Sequence, residues 1–303
     1  MEKIKYILLV AIVLLASCNQ SEDEETLLDQ RKKKIETIAY ERAFKVGVMP
    51  TMDCLPLFVM CDSALYDTTK VDIRLKMYTS QNDCDTAIMR NKIQACVTDL
   101  VRAEYLKKKK KAPLQYMTET NASWKLLVSP NSGIKSLNDL GDKVIALNES
   151  SATWYYTGRV VDIGRPRYAV YGAAIGDVFL RLDMLLNKQM DGIWASEPQA
   201  TQAKLKGNIV LYDTSADIFV PGAFVYVGKN DPKVSRVFEK AYDRAIDLIN
   251  KNSVQYYSDI IKKYMKVDDN VIKALPKMKY KRISYPRQSN IKEALHIKPA
   301  QRK

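Results

Sequence analysis

The sequence predicts an α/β protein of two lobes, each a mainly parallel sheet flanked by helices, with two inter-lobe crossings and a cleft between them. Three observations lead there. From Phe44 onward, short apolar runs alternate with amphipathic stretches, the pattern of strands and helices wound in turn. After Trp124-Lys125-Leu126-Leu127-Val128 the same rhythm begins afresh. The chain has 303 residues, 47% hydrophobic and 27% charged, enough to fill sizeable cores and too apolar for a disordered chain.

The elements follow in chain order. Lys3 and Lys5 precede an apolar run from Ile7 to Leu15, too short to span a membrane comfortably and ordered as in a signal peptide. Leu15-Ala16-Ser17-Cys18 resembles the bacterial lipobox, which implies cleavage before Cys18 and acylation of that cysteine by chains such as palmitate. Asn19-Gln20-Ser21 and the acids Glu22 to Glu25 follow; the run is similar to the surface-export signal of some Bacteroidetes lipoproteins and equally suits a solvated tether. Residues 1–17 are therefore expected to be removed, with 18–40 forming a lipidated, charged tether. The expected location is the cell envelope, at the outer membrane, the cell surface or the periplasmic face. Losing Lys3, Lys5 and Glu2 changes the net charge only from +13 to +12, so the basic balance belongs to the folded protein.

In the body, strands are expected at Phe44–Met49, Val71–Tyr78, Gln94–Thr98 and Leu114–Met117, with helices at Leu55–Leu65, Asn82–Arg90 and Leu100–Lys108. The second series has strands at Lys143–Leu147, Tyr168–Tyr171, Gly192–Ala195 and Ile209–Leu211. A strand at Ala223–Val227 leads into helices over Pro232–Asn250 and Val254–Met265, and Asp268 is a plausible cap before Val271–Leu275. These last helices have too few strands beside them to make a third sheet and must cover the first. Residues 41–126 with 222–303 thus form one lobe and 127–221 the other. From Lys277 the basic, proline-interrupted segment is expected to lie over the surface or to be partly disordered.

Four blocks in this order carry a resemblance. Phe44-Lys45-Val46-Gly47-Val48-Met49-Pro50 with Pro56-Leu57-Phe58-Val59 is similar to the opening strand, loop and helix of the substrate-binding proteins of ABC importers, in the nitrate, sulfonate and thiamine-precursor group. Ala87-Ile88-Met89 through Ile93 to Leu100 resembles that group's second helix and the strand after it. Ser136 to Ala146 resembles its Ser-Leu-x-Asp-Leu turn, and Leu185 to Pro198 its Asp and Glu-Pro signature. The group's glycine before the acidic position is replaced by Asn91-Lys92 and by Lys188-Gln189, and Asp142 intrudes in the usual Gly-Lys pair. The resemblance implies a type II periplasmic binding fold, a small-molecule ligand and an ABC permease as partner; a monomer without cofactor is expected.

Ligands of open α/β sheets bind beyond the carboxyl ends of the strands. In the first lobe those loops hold Thr51, Asp53, Thr98, Asp99 and Asn121, hydroxyls, carboxylates and an amide that can converge on a small molecule. In the second, Ser150, Ser151, Thr153 and Trp154 follow a strand and open a helix, whose N-terminus favours an anion, although a serine there can equally be an N-cap. Trp154 and Trp194 can serve as aromatic walls or as core, and Glu197 as an acceptor or cation partner. The helix N-terminus suits an organic anion, while the two carboxylates weigh against a purely anionic ligand and fit a zwitterion or a heterocycle better; the expected ligand is one of these three classes.

Cys54, Cys61, Cys84 and Cys96 remain after Cys18; in an exported domain they allow three disulfide pairings, and Cys54 with Cys84 is the one the lobes favour. Met49, Met52, Cys54, Met60 and Cys61 make a soft-metal set, but Met60 and Cys61 fall in an amphipathic helix that core packing explains, so no metal is assigned. A single histidine, His296, lies outside every cleft block and leaves no histidine base, triad or histidine-rich metal site there. An enzyme on the same scaffold, related to thiamine-precursor synthesis, is disfavoured on that ground; a surface interaction or sensor protein is the other alternative. Neither the run Lys107–Lys111 nor the basic tail interleaves aromatics in the way a base-stacking platform needs, and nucleic acid is not an expected partner.

Overall fold

The computed structural model describes residues 26–297; the expected signal peptide, Cys18 and the acidic run lie outside them. Residues 26–42 form a helix, α1, in a unit of its own, with Leu27, Leu28, Ile35 and Ile38 exposed. The rest of the described chain, from Phe44, forms the second unit.

That unit contains two sheets. In chain order it runs β1 (Phe44–Val48), α2 (Leu55–Asp62), β2 (Ile73–Met77), α3 (Gln81–Met89), β3 (Ala95–Asp99), α4 (Leu100–Lys110), β4 (Leu114–Glu119), β5 (Lys125–Val128), β6 (Val144–Leu147), α5 (Ala152–Gly164), β7 (Tyr171–Ala174), α6 (Val178–Leu186), β8 (Gly192–Ala195), α7 (Gln199–Leu205), β9 (Ile209–Asp213), β10 (Gly222–Val227), α8 (Pro232–Asn252), α9 (Ser258–Met265), α10 (Asp269–Ala274) and α11 (Gln288–His296). The first sheet has the order β2-β1-β3-β10-β4 and the second β7-β6-β8-β5-β9. Each is parallel except for one strand: β10 runs antiparallel to β3 and β4, and β5 antiparallel to β8 and β9. Those two strands are the ones entered directly from the opposite lobe, so the reversal comes from the crossings.

Side-chain alternation splits the first lobe's core into two layers. Val46, Val48, Val97 and Phe224 face α2 and α8, while Cys96, Val225 and Val227 face α3 and α4. Helix α8 starts at the Asp231 cap and buries Phe238, Ala241, Tyr242, Ala245, Ile246 and Ile249, a 3–4 spacing on one face. Phe238 stacks on Phe224 at 5.4 Å. Helix α2, read from sequence as amphipathic, is instead buried all round from Leu55 to Met60, because it lies between the sheet and α8 and α9.

The cysteines do not pair as expected. Cys54, Cys61, Cys84 and Cys96 are free thiols. Cys54 packs on the α2 face of the sheet and accepts from Met49 N, while Cys84 packs on the other face in the same core layer as Cys96. The expected strand at Tyr168–Tyr171 begins only at Tyr171, since it is an edge strand of small, largely exposed residues with no apolar alternation. Val254–Tyr257 is a tight turn that precedes α9. Asp268 does cap α10, accepting from Val271 N at 2.9 Å. The turns that depart from the binding-protein pattern keep left-handed backbone at Asn91, Asp142 and Lys188, with φ of 53°, 59° and 58°. Such a backbone costs a residue other than glycine roughly 1–2 kcal/mol.

Over its described residues, 277–297, the C-terminal segment lies on the surface as an anchored strap. Tyr280 is buried and its hydroxyl donates to Met52 O at 2.7 Å, Ile283 N donates to Asp243 Oδ1, and Ser284 pairs with Thr118 and Glu119 of β4. Helix α11 then packs on α4, while Glu293 accepts from the Tyr155 hydroxyl of α5 and Asn290 donates to Val220 O. Residues 277–297 are thus a strap that touches both lobes. Tyr280→Phe should lower the unfolding free energy by about 1–3 kcal/mol, the usual effect of leaving a buried acceptor unpaired. Urea denaturation should show a lower midpoint with an unchanged slope; an unaltered midpoint would mean the strap is not anchored there.

Candidate functional site

The loops beyond the strand ends of the two sheets meet around a cavity of about 60 Å³. From the first lobe come Thr51 and Asp53, on the tight turn after β1, and Thr98 and Asp99 at the end of β3. From the second come Asn148 after β6, Ser151 and Thr153 at the start of α5, Arg181 of α6 and Ser196 after β8. Six of the residues expected from sequence are brought together here: Thr51, Asp53, Thr98, Asp99, Ser151 and Thr153.

The other five lie elsewhere. Asn121 lines a separate chamber beside the crossings. Ser150 and Trp154 line a surface groove with Tyr105 and α11, because the left-handed backbone at Ser150 (φ 53°) turns the chain before α5 begins. Trp194 is fully buried in the second lobe, where its indole N–H donates to Thr157 Oγ1 at 2.8 Å. Glu197 is committed within the protein: Oε1 lies 3.1 Å from Lys125 Nζ and Oε2 accepts from Thr201 N in the first turn of α7. The tryptophan that does line the cavity is Trp124, on the first crossing. His296 ends α11 in the outer groove.

The lobes touch at several points around this cavity. Met52 N donates to Glu197 O at 2.9 Å and Gln199 Nε2 to Pro50 O at 2.8 Å. On the opposite flank Arg102 donates to Glu149 O while pairing with Asp85 and with Asn82 Oδ1. At the mouth Thr79 Oγ1 donates to Asp177 Oδ2 at 2.5 Å and Val178 N to Thr79 O at 2.9 Å. Gly176 sits in the same seam: a Cβ there would lie 2.6 Å from Ser80 Oγ of the other lobe. This is a closed arrangement of two lobes.

Asp99 links the two halves. Its Oδ1 accepts from Arg102 N, capping α4, at 2.9 Å, and from Ala152 N, the first residue of α5, at 3.0 Å. One carboxyl oxygen therefore satisfies the helix N-termini of both lobes. Burial raises the Asp99 carboxyl from 3.8 to about 7, against the lowering effect of its hydrogen bonds with Arg102 and Ala152 and of the Arg102 charge. Asp53 is also raised by burial, with the Thr51 hydrogen bond opposing it.

Arg181 is the residue that sequence reasoning missed. It is 4% exposed, donates Nη1 to Ile175 O at 2.8 Å, and carries a buried Nε with no protein partner. Burial lowers its guanidinium to about 10, with Asp177 opposing. Two more cavity-lining atoms, Thr98 Oγ1 and Asn148 Oδ1, are likewise buried without a protein hydrogen bond. A signal existed: Arg181 interrupts the apolar face of Val178, Leu182 and Leu185 in an otherwise Leu-rich helix.

No family model and no curated protein matches the sequence. Solved structures do. The ligand-binding component of an ABC-type import system from Staphylococcus aureus, with zinc bound, superposes with a TM-score of 0.69 at 14% identity, covering 83% of this chain and 89% of that one. The periplasmic aliphatic sulphonate binding protein of Escherichia coli gives 0.66 at 14%, covering 83% and 89%. The periplasmic nitrate-binding protein of Synechocystis gives 0.70 at 13%, covering 84% and 80%. With the two sheets, their crossing strands and the closed seam, these likenesses establish that the chain has the two-lobed periplasmic binding protein fold.

Proposed function

We propose that the protein is a lipid-anchored solute-binding protein that closes its lobes over a small organic anion or zwitterion and delivers it, as a monomer, to an ABC permease. The observation that carries this reading is the trio of buried, unpartnered polar atoms, Thr98 Oγ1, Asn148 Oδ1 and Arg181 Nε, on both walls of one cavity. Buried polar groups are otherwise almost always satisfied. The ligand's anionic head would accept from Arg181 Nε and Thr98, and a donor on it would meet Asn148 Oδ1. The volume admits a head group of a few heavy atoms, which favours an anion or zwitterion over a heterocycle. The binding components among the similar structures support this reading by fold. Cys18 would supply the anchor, and metabolic labelling with palmitate should mark the protein and be lost in Cys18→Ser.

A thermal-shift screen against small carboxylates, sulfonates, nitrate and amino acids tests ligand class. A ligand at 100 times its dissociation constant should add roughly 2.7 kcal/mol. Arg181→Gln should weaken binding about tenfold or more, the effect of losing a charge-assisted hydrogen bond. Gly176→Leu places a side chain in the seam between the lobes. It should cut affinity, because the clash favours separation of the lobes; equal affinity in this variant would rule out closure as the binding step.

Closure also carries a proton. With the lobes apart, water reaches Asp99 and its carboxyl returns toward 3.8, whereas the closed form holds it at about 7. The closed form therefore binds the extra proton between those values. Closure is favoured by low pH and weakens as pH rises, by at most about tenfold per unit for this one group. Ligand affinity measured by calorimetry should fall from pH 5 to pH 7 and level off above it. Asp99→Asn, which keeps an oxygen for both backbone donors, should reduce that slope; an undiminished slope would assign it to other groups, such as Asp53.

A further inference from the structure

A second chamber, of about 210 Å³, lies beside the two crossings and is closed over by the strap. It is lined by the first crossing from Glu119 to Ser123, by the second at Phe219 to Pro221, and by Lys279 to Lys281. It is distinct from the cavity that holds Arg181, and only Ala122 lines both.

Its chemistry has a definite sense. Glu119 is 7% exposed; Oε1 meets Lys281 Nζ at 3.0 Å, while the buried Oε2 receives no hydrogen bond from the protein. Asn121 Oδ1, in the same chamber, is also buried without a partner. Both unmet atoms are acceptors, so an occupant must bring donors. The lining adds Tyr156, Phe219, Tyr242 and Tyr280, aromatic faces that attract a cation. The charges are sorted by depth: Glu119 and Asp217 are inside, with side chains 6% and 11% exposed, whereas Lys279 and Lys281 are exposed at the rim. Water screens the lysines more than the buried acids. An apolar cavity of about 150 Å³ holds benzene, so this chamber has room for a somewhat larger molecule.

We infer that the hinge chamber is a binding site for a small organic amine in its protonated form, its ammonium on Glu119 Oε2 and Asn121 Oδ1 and its apolar body among the four aromatic rings. The occupant would touch both crossings and the strap at once. It would thereby stiffen the segments about which the lobes turn and couple its own binding to closure of the Arg181 cavity. The site does not rest on the uptake reading, since its ligand, residues and test are separate from that cavity.

The test uses the full-length protein and three probes of one shape: phenethylamine, 2-phenylethanol and phenylacetate. Calorimetry should give one saturable site for phenethylamine, about tenfold or more tighter than for the alcohol, the factor a charge-assisted hydrogen bond supplies. Phenylacetate should not bind there. Glu119→Gln should bring the amine down to the affinity of the alcohol, and Asn121→Ala should weaken it as well should the first variant fold poorly. Arg181→Gln, which lies in the other cavity, should not abolish amine binding. The inference is overturned if the amine binds no tighter than the alcohol, if the folded Glu119 or Asn121 variants bind it unaltered, or if Arg181→Gln abolishes it and so places the amine in the other cavity.

Discussion

One buried carboxyl oxygen joins the two lobes through its hydrogen bonds. Asp99 is the last residue of β3, the cap of α4 and the acceptor for the first residue of α5, so the end of one lobe's strand completes the other lobe's helix. Two helix N-termini that would each need a cap of their own share a single oxygen. Around that link the other contacts across the seam fall into place, with Met52 against Glu197 on one flank and Arg102 against Glu149 on the other. The cavity is what remains between them.

Two of the buried charges near the seam are paired within their own lobes. Arg102 is matched by Asp85 within the first lobe, and Glu197 by Lys125 in the second. On the cavity's wall, Arg181 holds a backbone carbonyl and leaves Nε unmet. A buried cation with unused donor capacity costs free energy unless a ligand supplies the missing acceptor. The same reasoning with signs reversed applies to Glu119 and Asn121 beside the crossings. The two chambers thus differ in what they lack, one an acceptor and the other a donor.

The strands were legible because most are short, apolar runs bounded by turns, and nearly every predicted strand overlaps an observed one. The weakest match was β7, which shares only Tyr171 with the expected segment, because it is an edge strand of Tyr, Gly and two Ala in which nothing alternates. Site residues at strand ends followed from the general geometry of α/β sheets, which is why Thr51, Asp53, Thr98 and Asp99 fell on one cavity. The aromatic expectations failed for a different reason. A tryptophan at a strand end can point either way, and Trp194 points into the second core while Trp124, on a crossing, lines the cavity. Cysteine pairing was illegible since residues near one sheet edge in sequence can occupy opposite faces, as Cys54 and Cys84 do. Lys107 to Lys111, read as a solvated face, do end α4, where positive charge suits the helix dipole.

The crossing strands also govern the order in which the chain can be completed during synthesis. The second sheet is made of β5 to β9, contiguous in sequence, whereas β10 must slot between β3 and β4, and β4 ends at Glu119 while β10 begins at Gly222. Closing a loop of roughly a hundred residues costs several kcal/mol before any pairing repays it. Tyr280 then reaches back 228 positions to Met52. A nascent chain that stops short of β10 would leave β3 and β4 each with an unpaired edge and α2 without its cover. Premature termination would then yield sticky, protease-sensitive fragments rather than a smaller folded protein.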